Sequence, residues 1–264
     1  VVGYTYRFYP QASHVELVPE YLFDKAKIKD HQKALSARVT KLARAAQNMT
    51  PVEKERYIHD FICQNVRYDK LKKPYSHEII GALTQVVGVC EGIAKSVKIL
   101  CDALGIWCII ALCDNNPEKG IKYRHAWNVI QIGRQHYHLD VTFDNSLGKE
   151  EIIRYDYFNL SDNEIRLDHE ILSSPIPKCS TSNNYYMING LYMHSQNDYR
   201  RFLQEKSRRQ KDLVFKLPCS GDIEATKKKI MAVTSEVLAS PFSFLSQYQL
   251  ISNDSQFVFH LHLS

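Results

Sequence analysis

Polar and apolar positions along the chain fall into stretches of two periods. Residues 4–9 alternate as a strand does, and Pro10 ends it. Residues 25–48 carry Ala, Leu, Lys and Arg at helical spacing. Thr50-Pro51-Val52-Glu53 then reads as a helix start: a hydroxyl cap, a proline in the first turn and an acid to complete a capping box. It predicts a helix to about Asn65. Ser76 is placed to cap a short helix through Leu83. Gly88 breaks the pattern, and from Cys90 to Leu104 the residues Ile93, Ala94, Val97, Leu100, Cys101 and Leu104 recur at helical intervals. Gly105 stands where such a helix wants a left-handed residue. The prediction is a mostly buried helix with Cys90 in its first turn.

Three strands are expected next. Ile106–Cys113 is a continuous apolar run, so buried. Arg124–Ile132 and His136–Asp144 flank Gly133-Arg134, a two-residue hairpin turn with Gly first. A turn centred there sets Trp127 opposite Asp140 and His125 opposite Thr142. His125 and Asp140 become diagonal neighbours on one face, whereas a slip of one residue would put them on opposite faces. After about Leu147 the character changes. Ser161-Asp162-Asn163-Glu164 is a second capping box, Ser195–Gln210 a polar basic helix, Leu213–Leu217 a strand and Asp222–Leu238 a helix. Gln247–Ile251 and Gln256–Leu263 form a closing hairpin across Asn253-Asp254. The expected division is residues 1–49 as an N-terminal strand and helix packing on the core, 50–147 as the core, and 148–264 as an accessory extension.

Composition changes this picture little. A chain of 264 residues that is 44% hydrophobic can bury a sizeable core. No apolar run approaches the roughly 18 residues of a membrane span. The net charge of +5 is mild, and the basic clusters at Lys25–Lys33, Lys206–Lys211 and Lys227–Lys229 lack the interleaved aromatics of a nucleic-acid surface. No nucleic-acid partner and no membrane span are expected. The seven cysteines are odd in number, irregularly spaced and mostly in apolar stretches, so they read as buried reduced thiols. That favours a reducing, cytoplasmic compartment. The chain starts Val1-Val2-Gly3 without an initiator Met and is read as a fragment or mature form, which leaves a secreted or cell-surface origin open. Cys108, Cys113, His136 and His138 lack paired zinc-ligand spacing. There is no calcium loop, phosphate loop or dinucleotide motif. No metal and no cofactor are expected.

The chemistry lies in an ordered trio: Gly88-Val89-Cys90-Glu91-Gly92, His125-Ala126-Trp127 and His138-Leu139-Asp140-Val141-Thr142. A thiol nucleophile, an imidazole base and a carboxylate orienter are the parts of covalent acyl transfer. A helix N-terminus favours thiolate over thiol, and its free N–H groups can hold an oxyanion. Gly88 and Gly92 would allow close approach of backbone and substrate. His125 would be base and then acid. Asp140 would fix its tautomer, and a carboxylate between Leu139 and Val141 is costly to bury unpaired. Four further residues are candidates to line the cleft: His77 ahead of the nucleophile helix, Glu91 beside Cys90, Tyr75 as an oxyanion donor, and Trp127 over the His–Asp pair or in the core.

The stretch Gly88-Val89-Cys90-Glu91-Gly92-Ile93-Ala94-Lys95-Ser96 through Leu104-Gly105-Ile106 resembles the nucleophile helix of the transglutaminase-like superfamily. His125-Ala126-Trp127-Asn128-Val129 and His138-Leu139-Asp140-Val141-Thr142-Phe143-Asp144 are similar to its histidine and aspartate strands. The likeness covers roughly residues 50–145. Tyr157-Phe158-Asn159-Leu160-Ser161-Asp162 with Asp168-His169, and Asn184-Tyr185-Tyr186, resemble the extension of bacterial members. The resemblance implies an α+β fold: a papain-like core, with the helix of Cys90 packed on an antiparallel sheet carrying His125 and Asp140, and a mixed α/β extension. It implies Cys90 as nucleophile, His125 as general base, Asp140 as orienter and a thioester from a protein or peptide acyl group. Water would then give hydrolysis of a peptide or side-chain amide, the favoured outcome; a lysine amine would give a crosslink. The competing expectation is an inactive module that kept the fold and binds a protein or cell-wall partner. The intact trio weighs against it.

Overall fold

The first elements of the chain lead up to the helix of Cys90 and fix its position. In the computed structural model, which describes residues 2–114, 118, 124–148, 152–170, 176–239 and 247–264, β1 (Gly3–Phe8) pairs antiparallel with β2 (Val15–Glu20). The second strand is not evident in the sequence, because Pro19 and flanking acids obscure its alternation. Helix α1 (Lys25–Ala46) is capped by Asp24, whose carboxylate accepts from the Lys27 N–H. Helix α2 (Pro51–Asn65) starts on the predicted capping box: the Glu53 N–H donates to Thr50 Oγ1 and the Thr50 N–H donates to the Glu53 carboxylate at 2.8 Å. A two-residue strand β3 (Arg67–Tyr68) leads to a 3-10 turn at Pro74–His77, helix α3 (Ile79–Thr84) and β4 (Val87–Gly88), which runs parallel to β3. Ser76 is not a helix cap. Its buried hydroxyl donates to the Lys73 carbonyl inside the turn, and α3 begins after Glu78 with no side-chain cap.

Helix α4 (Cys90–Ala103) comes directly after β4. It ends as the sequence predicts. Gly105 takes φ +72°, the Ile106 N–H donates to the Cys101 carbonyl, and the Gly105 N–H donates to that of Asp102. The main sheet is antiparallel in the order β5 (Cys108–Cys113), β6 (His125–Ile132), β7 (Gln135–Leu139) and β8 (Phe158–Leu160). The β6–β7 register pairs Ile132 with Gln135 and Asn128 with Leu139, as a turn at Gly133-Arg134 requires. The third predicted strand is shorter than expected. It stops at Leu139, and helix α5 (Val141–Leu147) takes over with Asp140 as its N-cap. Thr142 therefore lies in a helix and not opposite His125.

The sheet has two buried faces. On one, Ile93, Val97 and Leu100 of α4 and Ile58 and Ile62 of α2 meet Ile130 and Leu139. On the other, Trp127, Val129 and Ala111 meet Leu160, Ile165 and Cys179. Helix α6 (Asp162–Ile165) carries the second predicted capping box, and α7 (Tyr185–Ile188) comes next with Asn184 as its cap. The remaining chain forms α8 (Gln196–Lys206), β9 (Asp212–Lys216), α9 (Ile223–Leu238), β10 (Tyr248–Asn253) and β11 (Val258–Leu263). Its sheet has the antiparallel order β10-β11-β9, and its own cluster holds Leu203, Phe215, Ile230, Phe259 and Leu261. The class is α+β, a helix bearing Cys90 packed on an antiparallel sheet. Among the described residues, no helix is long and apolar enough to cross a membrane.

Candidate active site

Cys90 is the first residue of α4, and three contacts fix where that turn sits. The Val89 N–H donates to the Ser76 carbonyl at 3.0 Å. The Asn128 amide of β6 donates to the Ala94 carbonyl at 3.0 Å, which ties the helix to the sheet. Gly92 lets the Ser76 backbone in, since a Cβ there would lie 2.2 Å from the Ser76 oxygen. At Gly88 a Cβ would crowd Ile93 and Ala82 at 3.2 and 3.3 Å. Both glycines thus serve the protein's own close packing.

His125 opens β6, and its side chain is 11% exposed. Its Nε2–H donates to Asp140 Oδ2 at 2.5 Å, which leaves Nδ1 as the ring nitrogen available to the Cys90 thiol, with which the ring interacts. The ring lies against Phe143 at 4.7 Å and nearly parallel to Trp127 at 5.9 Å. Asp140 is wholly buried. Its Oδ1 accepts from the N–H groups of Thr142 (2.9 Å) and Phe143 (3.1 Å), the first turn of α5. Its Oδ2 accepts from His125 and, at 2.9 Å, from Nε2 of His169. The structure therefore brings Cys90, His125 and Asp140 together in one contiguous row.

The charges of this row support one another. Burial disfavours the Cys90 thiolate, but the His125 ring and the backbone N–H of Ala126 outweigh it, and the thiol titrates below its ordinary value. Burial also opposes charge on His125, yet Asp140 and the thiolate push the imidazole up to about 10. Burial would raise Asp140, and the two histidines instead hold it well below the usual carboxylate range. A thiolate beside an imidazolium is the state this geometry favours.

The other predicted cleft residues differ among themselves. His77 Nδ1 meets the Glu91 carboxylate at 3.1 Å, and Glu91 also holds Lys95 at 2.8 Å; this half-exposed cluster satisfies itself. Tyr75 is partly buried with the Lys73 ammonium over its ring at 5.8 Å. Trp127 does not line the cleft. It is 1% exposed beneath His125, and its Nε1–H donates to His138 Nδ1 at 3.0 Å. Two residues near the trio are not among the candidate site residues of the sequence. Tyr68, 38% exposed, pairs with Gly88 in the short parallel ladder; burial, then the Cys90 and Asp140 charges, push its phenol up. His169 approaches from a loop after α6, and its sequence signal is the Asp168-His169 pair in the stretch that resembles the extension of bacterial members, which carries no role for it.

Among the described residues, two groups of ligand-type atoms converge within 4.8 Å: His138, Asp162 and Cys179, and His125, Asp140 and His169. The first does not fit a metal. Because His138 Nδ1 accepts from Trp127, the ring proton sits on Nε2 and is donated to Asp162 at 3.0 Å. That leaves the ring no lone pair for a cation. In the second, the Asp140 oxygen is already occupied by two ring N–H donors.

Residues 35–141 match the transglutaminase-like superfamily. No curated protein matches the chain. Among solved structures, the chain is similar to a TGase at 12% identity and a TM-score of 0.39, with 51% of this chain and 37% of that one covered. It is also similar to a candidate cysteine protease from Cytophaga hutchinsonii at 22% identity and a TM-score of 0.34, covering 46% of this chain and 43% of that one. The chain thus spans less than half the length of either.

Proposed function

We propose, from the premise that the chain belongs to the transglutaminase-like superfamily through residues 35–141, that it carries out cysteine-dependent acyl transfer on protein or peptide amides. The observation that carries this reading is the Nε2–Asp140 hydrogen bond, which leaves the other nitrogen of His125 available to Cys90. The Cys90 thiolate attacks the amide carbonyl carbon, and the carbonyl oxygen takes up the negative charge. N–H groups at the start of α4, which lack intrahelical partners by position, are suited to receive it. The tetrahedral intermediate collapses as the C–N bond breaks, and His125 Nδ1–H gives its proton to the leaving amine. This leaves a thioester on Cys90 and a neutral imidazole. Water or an amine then attacks the thioester and gives its proton to His125, releasing an acid or a new amide and restoring the thiolate–imidazolium pair. Water is the favoured acceptor, since it needs no site that concentrates an amine.

Incubation with a library of glutamine-containing and unmodified peptides, with and without an alkylamine donor, tests the reading. Intact-mass spectrometry is expected to detect an acyl adduct on Cys90 that Cys90→Ala lacks, with free acid as the main product. An amine-linked product in preference to acid would reassign the acceptor. Turnover retained by Cys90→Ala would overturn the reading.

A further inference from the structure

His169 is a buried histidine that the proposed reaction does not use. Its Nε2 lies 2.9 Å from Asp140 Oδ2 and its Nδ1 lies 2.7 Å from Asp168 Oδ1. Carboxylates only accept hydrogen bonds, so both ring nitrogens must donate, and the ring is an imidazolium. The ring is 1% exposed. Phe143 at 4.6 Å and Trp127 at 5.0 Å wall it in, the same two rings that border His125. Asp168 is held in turn by the Tyr157 hydroxyl at 2.6 Å. Cys90, His125, Asp140, His169 and Asp168 thus form a row of alternating charge, with the active thiol at one end.

This arrangement decides which way Asp140 points. With only His125 and the α5 N–H groups as partners, the carboxylate could tilt and go with the ring. With a second cation pinned behind it by Asp168, Oδ2 has one place to sit. We propose that His169 is a positioning residue for the Cys90 reaction, holding Asp140 as an imidazolium clamped between two carboxylates so that His125 keeps Nδ1 on the thiol. The ionisable groups facing it are Asp140, Asp168, His125, His138 and, through Asp168, Tyr157. The role of His169 rests on the proposed acyl-transfer function.

Two isosteric variants separate positioning from bulk structure. A glutamine amide at 169 reaches the place of Nε2 and keeps the donor to Asp140; an asparagine amide reaches the place of Nδ1 and keeps only the contact to Asp168. The rate of iodoacetamide labelling at Cys90, read by mass spectrometry across a pH series, is compared in the parent, His125→Ala, His169→Gln and His169→Asn, with Tm measured on each. The parent is expected to label Cys90 selectively at neutral pH. His169→Asn should lose on the order of tenfold or more of that rate, the worth of a charged buried hydrogen bond acting on orientation, while His169→Gln recovers most of it. Equal rates in the parent and both variants would overturn the role of His169 and leave the acyl-transfer function standing. So would losses in both variants that merely track Tm. Unselective labelling of the parent would bring down the acyl-transfer function and this role with it. Should neither variant fold, nitrogen-15 NMR of the parent's histidine rings decides: His169 is expected doubly protonated at neutral pH, and a neutral ring contradicts the clamp.

Discussion

Four hydrogen-bond donors converge on the Asp140 carboxylate, two from helix α5 and two from imidazole rings. An amide cannot take its place, because its NH2 end would face donors on whichever side it turned. Asp140→Asn is therefore expected to lower the rate by about 10⁴, through loss of the His125 orientation, and to cost about 1–3 kcal/mol of stability from the unmatched buried donors. Kinetics and urea unfolding of the same variant check both; a rate within a few-fold of the parent removes Asp140 from the mechanism. At this scale much is legible in the sequence. The Gly133-Arg134 turn fixes the β6–β7 register, and the register makes His125 and Asp140 diagonal neighbours. Trp127 obeys the same register, but its exposure depends on what covers that face of the sheet, and that cover comes from Tyr157, Leu160, Ile165 and Cys179. His169 lies 29 residues from Asp140 in a loop without periodicity, so no local pattern could bring it to the site.

Helix α4 positions Cys90, and its seat against the Ser76 turn depends on an absent side chain. A Cβ at Gly92 would lie 2.2 Å from the Ser76 oxygen, which is backbone and cannot swing aside. Gly92→Ala is expected to shift the first turn of α4, lowering stability by about 2 kcal/mol or more and Cys90 labelling by a large factor. A variant with parent stability and labelling would show that the turn yields freely. The long elements are legible because each carries its own punctuation: the Thr50 box before α2, the left-handed Gly105 after α4. Short ones without such a signal are not. Strand β8 is three residues long and is specified by its pairing with β7. Helix α5 begins where a strand was expected to continue, because the Asp140 carboxylate caps a new helix.

Across the whole molecule, polar groups tie helix α2 to β8 and the segment before β8 to the C-terminal sheet. Glu55 of α2 accepts from Asn159 of β8 at 3.0 Å, and Asn253 of β10 donates to Asp156 and to the Tyr157 hydroxyl beside the His169 clamp. Burial pushes Glu55 up to about 8, only partly offset by the Asn159 amide. In the fold it keeps its proton above the pH at which the unfolded chain releases it. Between about pH 4.5 and 8 the folded state therefore binds more protons, and stability falls as pH rises. Glu55→Gln removes this penalty, so its Tm advantage over the parent should widen through that window; a constant gap would mean that Glu55 is ionised in the fold. The central claim, a poised Cys90–His125 ion pair, is tested most directly by iodoacetamide labelling of the parent between about pH 5 and 9, with all seven thiols resolved by mass spectrometry. The account predicts that Cys90 reacts far faster than the other six, that its rate persists below the ordinary thiol range because His125 lowers its titration, and that His125→Ala abolishes the difference. Slow labelling spread evenly over the thiols would contradict it.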